Sequence, residues 1–538
     1  MTRSLRARVA AGLLGLAVLL PLAAMAPASA AAADFPAGKT GYHTYAEMVA
    51  DVNAVVAAHS TIARKVAIGT SYQGRTIWAV KISDNVAVDE NEPEVLFDGL
   101  THADEHMGLE MTIKIMHWLT DGYNQYSRIR NIVNSREVWI VLAVNPDGAE
   151  YDISGGRFHY WRKNRQPNSG TNAIGTDINR NFGYRWGGGG RTSANPQAIT
   201  YRGPFAFSTP EARNVRDFLA SRVVNGRQQI RTAITFHEAG RLVMWPYGYT
   251  YTDIPADMTV DDHRALAYIG RKMAASSGYK PEQASDLYVT SGTTRDYEYG
   301  LYRIFAYTFE LSVVDYPDDS LINSETGRNR EAVLYLIERA ACPLAVLGAA
   351  TRIARCGAFD DDLEISRGWA RNADGSDTAT GGVWSRSAPS PTSTSAGRKQ
   401  ANGVTSGRYG FVTGAAAGAS ASANDLDGGR TSVTSATIDL PASSGQRLQF
   451  RYTFAHDATA TSADRVVAEI LDVGADSATQ VFVAYGASVN RNASWKLASV
   501  DLSAFAGKTI RIRISATDAG TNGIVEAAVD DIRVTQPQ

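Results

Sequence analysis

Cysteine is almost missing from this sequence. Only Cys342 and Cys356 occur among 538 residues, and both stand far from any group of histidines. A catalytic metal site in this chain therefore has to be built from histidine and carboxylate ligands. Two cysteines this close in sequence can pair in an oxidising compartment. A Cys342–Cys356 disulfide, tying the end of a helix to the segment after it, is the expectation. An excess of charge is missing too. The 53 Lys and Arg residues nearly balance the 55 Asp and Glu, for a net charge of −2. That removes the basic footprint of a nucleic-acid-binding protein. Long apolar runs are missing everywhere except at the N-terminus. There Arg3, Arg6 and Arg8 precede an apolar stretch that starts at about Val9, and Ala28-Ser29-Ala30 forms an A-x-A cleavage site. Residues 1–30 read as a secretory signal peptide, so the mature protein is expected to be soluble and secreted, extracellular.

What is present divides the chain in two. A chain of 538 residues is too long for a single core. After a short N-terminal segment, residues 31–40, the stretch 41–350 is rich in aromatics and mixes strand and helix signals. "YAEMVADVNAVVAAH" and "MGLEMTIKIMHWLTDGY" have apolar residues at helical spacing. "STPEARNVRDFLASR" is also helical, with Thr209 as N-cap and Pro210 at the first helical position. "TIWAVKIS", "EVLFDGL", "REVWIVLAV" and "IRTAITFHE" read as strands, and Asn145-Pro-Asp-Gly148 reads as a turn. Strands alternating with helices predict an α/β domain around a parallel or mixed sheet. Residues 351–358 read as a linker. From 359 to 538 the sequence turns to Ser, Thr, Ala and Gly, and "RLQFRYTFAH" and "KTIRIRISA" alternate with period two. This second region predicts an all-β sandwich or jelly roll.

The stretch "VLFDGLTHADEHMGLE" holds His102, Glu105 and His106 in the order H-x-x-E-H. Alone, that pattern fits two histidine ligands four apart with the glutamate as base. His102 sits too close to the strand exit to share a helical face with His106, however, and no matching downstream glutamate ligand is evident. A third histidine, His237 in "AITFHEAG", stands at another strand end. His102, Glu105 and His237 make a three-ligand set that leaves a fourth position open for water. The ends of strands are where open α/β sheets place their sites. Further along, Glu310 lies inside the apolar strand "IFAYTFEL", where a carboxylate is costly unless it has a partner or a task.

Taken together, H-x-x-E, N-P-D-G, W-R-K-x-R, D-x-N-R-N-F, a lone strand-end histidine, "YVTSG" and "TFEL" resemble, in order, the M14 zinc metallocarboxypeptidases of the A/B/T type. The resemblance covers roughly residues 40–348. It implies a mixed eight-stranded sheet flanked by helices, one Zn²⁺ and a peptide-hydrolase activity on the C-terminal bond of peptide or protein substrates. It implies His102, Glu105 and His237 as zinc ligands, Glu310 as general base and Arg162 beside the scissile carbonyl. By the same resemblance, Asn179 and Arg180 grip the substrate's terminal carboxylate and Tyr288 closes over it. Arg295 matches the base of the pocket for the C-terminal side chain, where an arginine favours Glu or Asp unless it pairs with Asp296 or Glu298. Asp104 replaces a common arginine, which predicts better acceptance of basic residues upstream of the scissile bond, and Ala239 predicts a more open non-primed side. The short 31–40 segment predicts no inhibitory prodomain.

The sandwich resembles accessory domains of secreted bacterial enzymes, including carbohydrate-binding ones. Trp369, Trp384 and Trp495 are its candidates for stacking on a sugar or cell-wall ligand, with core packing as the alternative. Asp361, Glu364, Asp530 and Asp531, near its first and last strands, are candidates for a Ca²⁺ site, against solvated charge at strand ends. A monomer is the expectation. Two other functions stay open on the sequence: a peptidoglycan stem-peptide carboxypeptidase or endopeptidase, and an inactive binding protein on a peptidase fold.

Overall fold

The computed structural model describes residues 34–417, 420–520 and 523–537, so the signal-peptide reading of residues 1–30 falls outside the described residues. Eight strands form one sheet. They are β1 (Ala63–Thr70), β2 (Thr76–Ile82), β3 (Glu94–Gly99), β4 (Glu137–Val141), β5 (Ile230–Glu238), β6 (Leu242–Trp245), β7 (Lys280–Gln283) and β8 (Phe305–Leu311), in the order β1-β2-β4-β3-β5-β8-β6-β7. The four central strands β4, β3, β5 and β8 are parallel, while β1, β2 and β6 add antiparallel pairings, so the sheet is mixed. Parallel strands buried on both faces read as continuous apolar runs, and β3 is buried at every position.

Helices cover both faces. Val95 and Phe97 point into one core with Met48, Ile113 and Leu266, whereas Leu96 points into the other with Trp139 and Leu219. This alternation is the period of a strand. Helix α1 (Tyr45–Ala58) starts at a capping box in which Thr44 accepts from the Glu47 amide and Glu47 reaches back to the Thr44 amide. Thr209 caps helix α4 (Pro210–Ser221) through the Ala212 amide, with Pro210 at its first position. Two segments differ from the sequence expectation. Asn145-Pro-Asp-Gly148 opens a helix, α3 (Pro146–Asp152), because Asn145 accepts from the Gly148 amide at 3.2 Å and Pro146 fits the first helical position. Residues 351–358 are not a loose linker: Ala349–Arg355 is helical, and Cys356, at its end, is bonded to Cys342 with Cα atoms 5.6 Å apart.

The C-terminal region is two antiparallel six-stranded sheets enclosing one core of Leu363, Trp384, Phe450, Ile470, Ile512 and Val529, among others. Its first strand, Phe359–Asp361, pairs with its last, Val525–Val534. The four acids proposed for calcium do not converge on a common point here. Glu364 accepts from the Arg408 and Tyr409 amides, and Asp530 from the Thr405 and Ser406 amides. Asp531 takes the Ser406 hydroxyl and Arg533, and Asp361 takes the Trp369 indole at 2.8 Å. Three of the four thus fasten the 405–409 loop, Glu364 and Asp530 through backbone amides and Asp531 through hydroxyls, a use of carboxylates that needs no cation. Trp384 is core and Trp369 packs on Phe411 and Asp361. Trp495 is half-buried and donates to the Gly403 carbonyl, so the three indoles form no exposed row among the described residues.

Burial sets the sandwich's response to pH. It pushes the carboxyls of Asp361 and Asp518 up to about 6, Asp425 and Asp530 to about 7, and Glu526 to about 9. Glu526 accepts from Thr413 at 2.7 Å, while its second oxygen is buried without a partner. Acids raised on folding keep their protons in the native state at pH values where the unfolded chain has lost them, so stability falls as pH rises between the two pKa values. The melting temperature of the sandwich transition is expected to drop from pH 5 to pH 9. Glu526→Gln, which keeps the shape and removes the proton, is expected to flatten the alkaline half of that drop in calorimetric scans. An unchanged slope would show that Glu526 is not its source.

Candidate metal centre

Three strand ends at the same edge of the sheet supply the site. After β3 the chain turns at Leu100 (φ 54°) and delivers His102 and Glu105 ahead of helix α2 (Met107–Gly122). The approach requires glycine at two points. A side-chain carbon on Gly99 would collide with the Gly108 carbonyl oxygen, and one on Gly108 would press on Leu100 and the Phe236 carbonyl oxygen. With both absent, α2 lies directly on the ends of β3 and β5 and Glu105 reaches His237.

His102 Nδ1 lies 2.7 Å from one Glu105 oxygen and His237 Nδ1 lies 2.7 Å from the other, and the two Nδ1 atoms face each other at 2.9 Å. All three residues are buried, and their ligand atoms lie within 4.8 Å of one another. Two ring nitrogens and a carboxylate aimed at one point are the donor set of a zinc site. The outer nitrogens are held as zinc-binding histidines require: His102 Nε2 meets Asp177 at 3.1 Å, and His237 Nε2 lies 3.3 Å from Thr235 Oγ1 and from Asn179 Nδ2. Burial alone would raise the Glu105 carboxyl. The charges of His102 and His237 and their hydrogen bonds outweigh it and hold Glu105 below the usual carboxylate range. The fit with a divalent cation is therefore good on chemistry as well as on spacing.

His106 is not part of this set. Its ring packs edge-on against Phe35, and its Nε2 meets Asp152 at 3.1 Å. Glu310 pairs in register with His237 across the parallel β5–β8 ladder. Burial first, then the charge of Glu105, pushes its carboxyl up to about 7. Arg162 donates to Glu105 at 3.1 Å and to Asp177 at 3.2 Å. Asp177 thereby holds both a ligand histidine and this arginine, a role not assigned from the sequence although it stands two residues before Asn179 in "DINRN". Its signal was its company: a fully buried aspartate flanked by a motif's named residues.

Asn179 is fixed by the Thr294 amide, which donates to its Oδ1 at 3.0 Å. Arg180 donates to the Arg191 and Asn179 carbonyls, both at 2.8 Å, and its Nη2 makes no hydrogen bond among the described residues. Tyr288 is half-buried with the Arg191 guanidinium 4.8 Å from the centre of its ring. Arg295 is 4% exposed. It donates to Asp296 from Nε and Nη2, both at 3.1 Å, and to Thr308 at 3.0 Å, so it is the paired arginine of the two alternatives, yet its charge still acts on Glu310. Asp104 has one oxygen buried without a partner, and burial lifts its carboxyl to about 6.

Comparison with known proteins gives this geometry its family. A family model described as Zinc carboxypeptidase (Peptidase_M14) matches residues 48–332. The chain is 45% identical over 320 residues to "Zinc carboxypeptidase" of Saccharothrix mutabilis subsp. capreolus, a match covering 59% of this chain and 73% of that protein. It is 31% identical over 273 residues to carboxypeptidase A1 of Sus scrofa, covering 50% of this chain and 62% of that protein, short of two thirds of the relative's length. Among solved structures, the fold resembles thrombin activatable fibrinolysis inhibitor, with a TM-score of 0.51 and 24% identity over 56% of this chain and 74% of that one. The sandwich lies outside the matched family model. The chain belongs to the zinc carboxypeptidase family, Peptidase_M14.

Proposed function

We propose that this chain is an exported zinc carboxypeptidase that removes C-terminal residues from peptides, with Glu310 as general base and a preference for acidic C-terminal side chains. The observation that carries the reading is the convergence of His102, Glu105 and His237, with Glu310 in register beside His237. Zinc held by His102, Glu105 and His237 would supply a Lewis acid and acidify a bound water. Glu310 takes the proton of the attacking water and returns it to the leaving amine. Arg162, aimed by Asp177, donates to the carbonyl oxygen as negative charge builds there. Asn179 and the free Nη2 of Arg180 hold the terminal carboxylate, and Tyr288 closes over it. Arg295 is paired with Asp296, which weakens its charge without cancelling its reach to Glu310, so the acidic preference proposed is a modest one.

The test is a C-terminal release profile on peptides differing only in the last residue, each with a free or amidated terminus. Amidation is expected to abolish release. Glu is expected to leave roughly tenfold faster than Lys, and Arg295→Leu to remove that difference. Efficient Lys release would overturn the acidic preference, and efficient release from amidated peptides would overturn the role of Asn179 and Arg180.

A further inference from the structure

At the opposite edge of the sheet from the metal centre, a cavity of about 190 Å³ lies between the enzyme and the sandwich. Its walls include Arg227 and Arg231 from the enzyme and Arg367 from the sandwich. Arg231 is the second residue of β5, the strand that carries His237 near its other end. Arg227 follows a tight hairpin turn at Asn225-Gly226, both with positive φ. That turn seats against Arg367 and Gly368, where a side-chain carbon on Gly226 would strike the Arg367 carbonyl.

Arg367 is ion-paired with Asp361, whereas Arg227 and Arg231 have no ion pair among the described residues. Arg231 makes no hydrogen bond or ion pair among the described residues. Arg227 reaches only the Ala358 carbonyl, at 3.4 Å. Arg367 lies 3.4 Å from Asp361, and its Nε is buried without a hydrogen bond. The charge of Asp360 acts on Arg231 and Arg227, but Asp360 is already gripped by Arg355 through both oxygens and by Arg533. Arg355, Asp89, Glu90 and Asp439 also line the cavity, but none of the three acids forms an ion pair with Arg227, Arg231 or Arg367 among the described residues. Burial, and then repulsion from Arg227 and Arg367, pulls the Arg231 guanidinium well below its ordinary basicity. Arginine does not escape such a place by losing its proton. Arg227 and Arg231 are half-buried, and a partly desolvated charge without a carboxylate partner is favoured by a bound anion. The cavity is smaller than the roughly 300–1,000 Å³ of ordinary small-molecule pockets, so the anion is small. Three forks converging from two domains suit an oxyanion that accepts several hydrogen bonds at once.

We propose that this cavity binds a small tetrahedral oxyanion, phosphate or sulfate, held by Arg227, Arg231 and Arg367, and that the anion clasps the sandwich to the enzyme. The test uses the full chain in chloride buffer at constant ionic strength, titrated with sodium sulfate and, separately, sodium phosphate. Isothermal calorimetry is expected to show one saturable site, and the melting temperature to rise by about 2–4 °C at saturation. Arg231→Met is expected to abolish binding, to leave peptide hydrolysis unchanged and to melt no lower than the parent in chloride. Arg367→Met, made from the sandwich side, gives the same comparison if Arg231→Met does not fold. General salting effects of sulfate raise parent and variant equally. An equal rise in both, or heat that does not saturate, overturns the proposal. Binding of one anion and not the other decides which oxyanion the site takes.

Discussion

Replacing Glu310 with glutamine is expected to lower kcat by about 10²–10⁴-fold while zinc content and KM stay near the parent values. The substitution keeps the side chain's length and planarity and removes only its ability to take a proton. Glu310 sits beside His237 in register, so its backbone lies one strand spacing, about 4.8 Å, from that of a ligand residue. It is also the acid whose environment departs in the direction a base needs, lifted to about 7 by burial and by Glu105. A loss confined to kcat assigns Glu310 to the chemical step rather than to binding. Unchanged turnover would remove the proposed mechanism and return the chain to a binding role on an enzyme fold.

Arg162→Ala is expected to cost about 10²–10³-fold in kcat, again with zinc retained. Arg162 is half-buried and spends two of its donors on Glu105 and Asp177. Both contacts fix the direction of the remaining donors before substrate arrives, so no reorganisation is needed as the oxyanion forms. Lysine at this position would carry the charge without the fork, so Arg162→Lys is expected to recover little of the loss. Full recovery by lysine would reduce the role of Arg162 to simple charge.

The site was legible in the sequence because its parts are rigidly spaced relative to strand ends. His102 and His237 each follow an apolar strand run, and Glu310 interrupts one. The sheet's mixed character and its eight strands came with the family resemblance, while the residues alone showed only strands alternating with helices. What stayed hidden depends on partners distant in sequence. Asp177 is one residue of a loop until His102 and Arg162 fold onto it from 75 and 15 residues away. The acids at 361, 364, 530 and 531 cluster by sequence and strand pairing, but the donors that claim three of them sit in the 405–409 loop, which has no charge pattern to announce it. Asn145-Pro-Asp-Gly148 has the composition of a turn and of a helix start alike. The choice was made by the room behind it, where Asn145 Nδ2 also ties to the Thr101 and Lys163 carbonyls.

The disulfide between Cys342 and Cys356 closes a loop around the helical segment that joins enzyme to sandwich. A protease that nicks the backbone anywhere from 343 to 355 therefore leaves one covalent molecule, not two. The fragments part only on reduction. Shedding the sandwich by a single cut in an oxidising milieu requires cleavage outside that loop, either before Cys342 in the enzyme itself or beyond Cys356, where Gly357 lies hard against the Val534 carbonyl and Phe359–Asp361 is already zipped into the sandwich. The junction thus keeps the accessory domain covalently attached through any single nick within that loop.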